Sequence, residues 1–79
     1  MANIGRVKQG IGPVVDVSFN GPDSKLPEIL NALVINRPSG EELILECQRH
    51  LGEDSIRAIA MDSTDGLTSG TEVLDSGKP

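Results

Sequence analysis

Apolar and polar residues alternate along several short stretches of this chain. Val15, Val17 and Phe19 occupy every second position of one stretch. Asp16 and Ser18 lie between them, which is the period-two pattern of a strand that buries one face. Residues 4–9, 43–51, 56–61 and 72–74 also have strand character. Short strands at this spacing predict an all-β sandwich or barrel.

Two of these stretches predict which faces are covered. In residues 43–51, Leu43, Leu45 and Cys47 are expected to share one face of a strand. In residues 56–61 both alternating sets contain apolar side chains. That composition favours a strand that is covered on both faces.

Turn-forming residues separate the predicted strands. Gly10, Gly12 and Pro13 predict a bend after the first strand, because glycine supplies positive φ and proline presets a turn. Asp65 and Gly66 predict a tight turn near the end of the chain. Further signals of this kind lie at residues 20–22, 37–40, 69–70 and 76–77.

Residues 26–35 support two interpretations. Their apolar side chains recur at the spacing of an amphipathic helix, at Leu26, Ile29, Leu30, Leu33 and Val34. Pro27 would suit the first turn of such a helix. The β-rich context favours instead a short turn at residues 26–30 and a strand from about 31 to 36.

The composition limits the core and the devices that could reinforce it. The 79 residues include one cysteine, Cys47, one histidine, His50, and one aromatic residue, Phe19. An internal disulfide is therefore excluded, and a zinc site, which takes about four Cys or His ligands, is not indicated. A domain of this size buries only about 60% of its unfolded surface. We expect it to be weakly stable alone and to rely on neighbours.

Charge and hydropathy exclude several classes of partner. Twelve acidic and seven basic residues give a net charge of −5, whereas nucleic acids and anionic membranes attract clustered Lys and Arg. No apolar run approaches the ~20 residues that cross a bilayer, and the N-terminus has no apolar signal core. We predict a cytosol-like compartment, no nucleic acid and no direct membrane contact.

Two nucleotide-binding motifs are incomplete. A P-loop needs Gly, four residues, then Gly-Lys-Ser/Thr. The Gly-Lys pair at 77–78 is followed by proline, and Glu72 occupies the position of the first glycine. Gly10 and Gly12 have the first spacing of a dinucleotide fingerprint, but Val15 stands at the third glycine position. A bend between strands is the better interpretation of these glycines.

A calcium loop and a catalytic pair are also weakly supported. With Gly66 as the turn glycine of a calcium loop, Met61 would take the first ligand position, which it cannot fill. Cys47 and His50 are three residues apart, so on a regular strand they point to opposite faces. We therefore predict no catalytic, cofactor-binding or metal-binding residue in this chain.

Longer strings are distributed along the whole sequence. They are Gly5-Arg6-Val7, Gly12-Pro13-Val14-Val15-Asp16-Val17, Leu26-Pro27, Asn31-Ala32-Leu33, His50-Leu51-Gly52, Ile56-Arg57, Ile59-Ala60-Met61, Thr64-Asp65-Gly66-Leu67 and Val73-Leu74-Asp75-Ser76-Gly77. In this order and spacing they resemble the N-terminal β-barrel of the F-type ATP synthase β subunit. The His-Leu-Gly and Thr-Asp-Gly-Leu strings favour β over the related α subunit.

The resemblance implies a small closed six-stranded antiparallel barrel in residues 1–75. Residues 76–79 would begin a linker to a nucleotide-binding domain that this chain lacks, and residues 26–30 would be a connection. The barrels of three α and three β subunits are expected to join in a crown that holds the hexamer together. ATP, ADP and magnesium would bind the absent domain, so the isolated barrel is expected to be noncatalytic.

The parent enzyme that the resemblance implies makes ATP from ADP and phosphate, using a transmembrane proton gradient. It would be a peripheral complex on the cytoplasmic face of a bacterial inner membrane, or its organelle equivalent. Ser69 stands where the family commonly has arginine, and Cys47 where a small apolar residue is usual. A free-standing small-barrel binding module is the alternative function.

Overall fold

The computed structural model describes residues 2–79, which form six β-strands. They are β1 (Asn3–Ile11), β2 (Val14–Ser18), β3 (Ala32–Asn36), β4 (Glu42–Gly52), β5 (Ser55–Ala60) and β6 (Glu72–Asp75). Five of them lie at the stretches with predicted strand character, and β3 lies in the stretch that supported two interpretations. The prediction of an all-β fold is confirmed.

The strands close into a barrel with the order β1-β2-β5-β4-β3-β6. All neighbouring strands are antiparallel, including β1 and β6, which join the two ends of the chain. The six-stranded closed antiparallel barrel is therefore confirmed. Closure matters for a small β domain because it leaves no open sheet edge to pair with other chains.

The inward side of the wall is aliphatic. Its fully buried members come from β2 to β6 and are Val15, Val17, Leu33, Ile35, Leu43, Leu45, Cys47, Ile56, Ala58 and Val73, and Val7 of β1 joins them at 4% exposure. The expected shared face of Leu43, Leu45 and Cys47 is thus confirmed. On β5, Ala58 and Ala60 face inward, but Met61 lies beyond the strand and is 57% exposed. The prediction that both faces of residues 56–61 are covered is therefore wrong at Met61. Ile59, on the outer face, is half-buried.

Phe19 covers one part of the core and packs against Gly5. It follows β2 and is 3% exposed. An added Cβ on the buried Gly5 of β1 would lie 2.9 Å from the Phe19 ring and 2.7 Å from the Ser18 carbonyl oxygen. Gly5 therefore permits a close approach of ring and backbone that no other residue allows.

Residues 26–30 form a connection and not a helix, as the β-rich context predicted. Leu30 has a φ of +75°, and the Asn31 amide donates to the Glu28 carbonyl at 3.0 Å. The Leu30 amide donates to the Cys47 carbonyl at 2.7 Å. The turn breaks the helical period because it is tied to β4, and β3 begins two residues after Leu30.

The seam between β3 and β6 is the shortest in the barrel. Only two residue pairs are in register there, Leu33 with Asp75 and Val34 with Leu74. Residues after β6 extend it, because the Ser76 amide donates to the Ala32 carbonyl at 3.0 Å. The Ala32 amide in turn donates to the carbonyl of residue 78 at 2.8 Å. Residues 76–78, expected at the start of a linker, thus lie against the barrel wall.

Candidate assembly surface

The turn between β1 and β2 contains two residues, Gly12 and Pro13. Ile11 and Val14 are paired on either side of it, and Gly12 has a φ of +58°, as the first central residue of a tight hairpin requires. Gly10, expected in the bend, lies in β1 opposite Val15, because this short turn needs only the two residues after Ile11.

Asp65 and Gly66 lie at the centre of a turn in the long connection between β5 and β6. Gly66 has a φ of +80°, and the Leu67 amide donates to the Thr64 carbonyl at 3.0 Å. Positive φ at the third turn position is why glycine suits this site. The Thr64 hydroxyl donates to the Gly12 carbonyl at 2.8 Å, so this connection is fastened to the β1–β2 turn.

Cys47 and His50 reach the same carbonyl, that of Pro27, although a regular strand would direct them to opposite faces. The Cys47 Sγ lies 3.9 Å from that oxygen, and the His50 Nε2 lies 2.7 Å from it and donates to it. A register shift between Cys47 and Arg49 explains the difference, because a bulge alters the alternation of side chains. The expectation of opposite faces is wrong for this reason.

This pair has a structural function in the arrangement that we observe. Burial raises the pKa of the Cys47 thiol, and the nearby Asp75 carboxylate acts in the same direction. A buried thiol with a raised pKa carries little of the nucleophilic thiolate. His50 is engaged with a backbone carbonyl and fixes the connection before β3 to β4.

One ion pair on the outer wall has a carboxylate that is shielded from solvent. Arg57 on β5 lies opposite Asp16 on β2 and donates from Nε and an Nη at 2.8 and 3.1 Å. Gln9 also donates to this carboxylate, at 3.1 Å. The hydrogen bonds from Arg57 lower the pKa of Asp16, against a smaller opposing contribution from burial. The carboxylate stays ionised and is only 8% exposed.

The described residues contain no group of three or more His, Cys, Asp or Glu side chains placed to hold a metal ion. Within residues 2–79 there is also no helix of the length and apolar character that crossing a membrane requires.

Five outward-facing aliphatic side chains form a continuous row across the barrel wall. We call the following residues the apolar row: Ile4, Leu74, Val34, Ile44 and Met61. Ile4 pairs with Leu74, Leu74 with Val34, and Val34 with Ile44. The Met61 amide donates to the Ile44 carbonyl at 2.8 Å, which places the last member beside the fourth.

The members of the apolar row are accessible to solvent to different degrees. Ile4 is 40% exposed, Leu74 36% and Met61 57%, while Val34 and Ile44 are half-buried. The residues beside them in the strands include the buried Gly5, Leu33, Ile35, Leu43, Leu45 and Val73. The outer wall of an antiparallel sheet that faces water is usually polar, so this row is an exception to the usual pattern.

A polar row runs beside the apolar row. It consists of Arg6, Glu72, Asn36 and Glu42, with Arg6 paired to Glu72 and Asn36 to Glu42. The Arg6 guanidinium lies 3.4 Å from the Glu72 carboxylate, and both side chains are more than half exposed. A depression of about 150 Å³ lies between the rows, lined by Ile4, Val34, Asn36, Thr71, Glu72 and Leu74. The two rows together form an apolar strip with a polar margin.

Sequence reasoning identified the strands that carry this surface but not the surface itself. Alternation shows that Val34 and Leu74 face outward once Leu33 and Val73 are placed inside. It does not show that they are neighbours, because that depends on the β3–β6 pairing. Even a correct set of strands leaves the register undetermined when the pairing strands are distant in sequence.

The fold and surface define a small closed β-barrel domain with an apolar strip on its outer wall. Residues 7–77 match the family model described as the ATP synthase alpha/beta family, beta-barrel domain. The match extends over most of the chain, which therefore belongs to this family. Membership implies the context of an α/β hexamer in general, and it does not distinguish the two subunit types.

Proposed function

We propose that this chain is the assembly domain of an ATP synthase β subunit and contributes to the crown of the α/β hexamer. The family match over residues 7–77 carries this proposal. The apolar row supports it, because an assembly domain needs outward-facing apolar area that a monomer does not use. The strings at residues 50–52 and 64–67 favour the β subunit.

In this proposal the barrel binds no nucleotide and catalyses nothing. Its Gly-Lys pair at 77–78 lacks the remainder of a P-loop. ATP or ADP and magnesium would bind a following domain, to which residues 76–79 would lead. The complete complex would lie at the cytoplasmic face of a bacterial inner membrane, or its organelle equivalent, as a peripheral assembly. The barrel itself would touch neither membrane nor nucleic acid.

A domain exchange tests the assignment. Residues 1–79 replace the native barrel of an ATP synthase β subunit, which is expressed together with its α subunit, and native mass spectrometry measures the assemblies. We expect an α/β hexamer. In the matched exchange these residues replace the barrel of the α subunit, and we expect less hexamer there. Equal yields would leave the family role intact and contradict the β assignment.

A free-standing binding module remains the second candidate because of one surface groove. This groove, about 400 Å³ in volume, lies between residues 35–39 and 65–71. Two features oppose binding of single-stranded nucleic acid: the net charge is −5, and Phe19 is buried, so the chain has no exposed aromatic ring for stacking. Calorimetry with magnesium–ATP and with oligonucleotides separates the candidates. Micromolar binding of either ligand would contradict the assembly role.

A further inference from the structure

Asn20 and Gly21 form the only Asn-Gly pair of the sequence. Both residues follow β2 in an exposed connection. An asparagine side chain is most open to attack by the next amide nitrogen when that residue is glycine, because glycine has no side chain to hinder the approach. Within residues 2–79, no backbone carbonyl accepts a hydrogen bond from the Gly21 amide. The nitrogen that would attack is therefore not held in a backbone hydrogen bond.

The other three asparagines are held more firmly and precede larger residues. The amide that follows Asn31 donates to the carbonyl of residue 78 at 2.8 Å. The amide that follows Asn36 donates to the carbonyl of residue 41 at 2.9 Å. The side-chain amides of Asn3 and Asn31 both donate to one carboxylate at the end of β6. These bonds must break before the side chain of Asn31 or the backbone beside Asn36 can rearrange.

The contacts of Ser24 explain why a glycine occupies position 21. A Cβ built on Gly21 would lie 2.9 Å from the Ser24 Oγ. The Ser24 hydroxyl donates to the Ile4 carbonyl at 3.1 Å, and the Ser24 amide donates to the Gly21 carbonyl at 3.1 Å. Ser24 thus fastens this connection to β1 and fills the space that a side chain at position 21 would need. The residue that suits the bend is also the one that leaves Asn20 open to attack.

We propose that Asn20 deamidates spontaneously through a cyclic imide and that the fold confines this reaction to Asn20. The Gly21 nitrogen attacks the Asn20 Cγ, so the N–Cγ bond forms and the Cγ–Nδ2 bond breaks. The Gly21 amide proton leaves with the Nδ2 group as ammonia. Water then opens the ring at either carbonyl and yields aspartate or isoaspartate. Each product adds one negative charge to the net charge of −5.

The isoaspartate product changes the backbone between two anchored points. It directs the chain through the former side chain and so inserts one extra carbon atom after residue 20. Before this point, the Phe19 amide donates to the Asp54 carbonyl at 2.7 Å, and the Phe19 ring is buried. After it, the Lys25 amide donates to the Asn3 side chain at 3.1 Å. The few residues between these anchors must absorb the additional length, so we expect a lower thermal midpoint for the isoaspartate form.

Ageing of the 79-residue chain tests the proposal. The chain is incubated for weeks at neutral pH and physiological temperature, and mass spectrometry of its peptides follows every asparagine. We expect the change from amide to acid to accumulate first at Asn20. Opening one backbone hydrogen bond slows attack by up to about tenfold, and a side chain on the following residue slows it further, so Asn31 and Asn36 are expected to lag.

A parallel incubation in urea separates the contribution of the fold from that of the sequence. Unfolding removes the hydrogen bonds around Asn31 and Asn36 but keeps the glycine after Asn20. We therefore expect Asn20 to remain the fastest site, with a smaller lead over the other two than in the folded chain. Circular dichroism identifies the folded and unfolded samples.

Substitutions assign the reacting groups. Asn20→Gln keeps a side-chain amide but lengthens the chain to the carbonyl, which disfavours the five-membered imide, and we expect loss of the mass change at this position. Gly21→Ala places a methyl group beside the attacking nitrogen and is expected to slow the reaction. Asn36→Gln is the matched control outside the bend and is expected to leave the rate at Asn20 unchanged.

A second signal could come from Asp65, which also precedes a glycine and can form the same kind of imide by loss of water. Its products have the mass of the original aspartate, whereas deamidation of Asn20 changes the mass. A protein isoaspartyl methyltransferase with a labelled methyl donor detects isoaspartate at both positions, so the two measurements together assign each signal.

Three outcomes would overturn the proposal. They are an unchanged mass at Asn20, a rate at Asn31 or Asn36 equal to that at Asn20 in the folded chain, and a lead of Asn20 that is as large in urea as in the folded chain. The proposed assembly function does not depend on these results.

Discussion

The inner and outer sides of the barrel wall use the same aliphatic residue types for different purposes. Leu45 is fully buried among core residues of the other strands, whereas Leu74 stands on the outside with 36% of its surface exposed. Burial of the first removes apolar area from water within a single chain. The second gains comparable burial only against a neighbour. The inner face of the strands therefore encodes stability of the barrel, and in the proposed function their outer face encodes association.

The largest change in stability is expected when a substitution on the inner face is compared with a matched one on the outer face. Leu45→Ala leaves a cavity in the core and is expected to lower the free energy of unfolding by about 2–5 kcal/mol. Leu74→Ala, a matched change on the outside, is expected to change it by less than about 0.5 kcal/mol in the monomer. Urea denaturation at low protein concentration measures both. Similar losses for the two variants would contradict the division of function between the faces.

The second prediction concerns a position where the inner face has no space. Gly5→Ala places a methyl group against the Phe19 ring and the Ser18 carbonyl, and we expect a loss of about 1–3 kcal/mol from overpacking. Gly10→Ala is the matched control, since its nearest neighbour would lie 3.8 Å away. Thermal unfolding of both variants provides the measurement. A neutral Gly5→Ala would show that the ring can move aside.

The third prediction concerns the short β3–β6 seam, which residues 76–78 extend. Deletion of residues 76–79 removes the hydrogen bonds that Ala32 forms with Ser76 and with residue 78. At about 0.5–1.5 kcal/mol for each bond, the expected loss is about 1–3 kcal/mol. Lys78→Ala keeps the backbone carbonyl and is expected to have no effect. Hydrogen exchange at the Ala32 amide would report opening of the seam, and unchanged protection after the deletion would contradict its importance.

The smallest effect is expected at the ion pair on the outer wall. Folding lowers the pKa of Asp16, so the ionised carboxylate stabilises the barrel above the unfolded pKa of about 3.8. This contribution is lost as the pH falls through the lower folded pKa. Asp16→Asn should therefore be less stable than the unaltered chain at neutral pH and should approach it in acid. Urea midpoints from about pH 7 to about pH 1 test the trend, and a difference independent of pH would contradict it.

Five strands could be predicted because their residue patterns have strand character and turn residues separate them, whereas β3 was predicted from its β-rich context against a helical pattern. It predicted the closed barrel only through resemblance, since alternation alone fits a sandwich equally well. The contact of Cys47 and His50 with one carbonyl could not be anticipated, because it depends on a bulge in β4. The conformation of Leu30 was also hidden, since leucine seldom adopts positive φ and its sequence neighbours suggest a helix.

The apolar row could not be predicted from the amino-acid sequence alone. Ile4 and Leu74 are 70 positions apart, by subtraction of their residue numbers, yet they are paired across the join of the first and last strands. Their outward orientation follows from alternation, but their adjacency follows from register and closure. Candidate contact residues of this kind can be identified only when the pairing of the first and last strands is known.

Closure of the barrel has a consequence for how a neighbouring protein could recognise this domain. Every strand is hydrogen-bonded to neighbours on two sides, so an incoming chain cannot simply extend the sheet by backbone pairing. Backbone pairing is largely indifferent to side-chain identity and is a route to aggregation. Recognition through the wall must instead be encoded in side chains. Single substitutions on the outer wall can then change which partner a related barrel binds, without any change to the fold that presents those side chains.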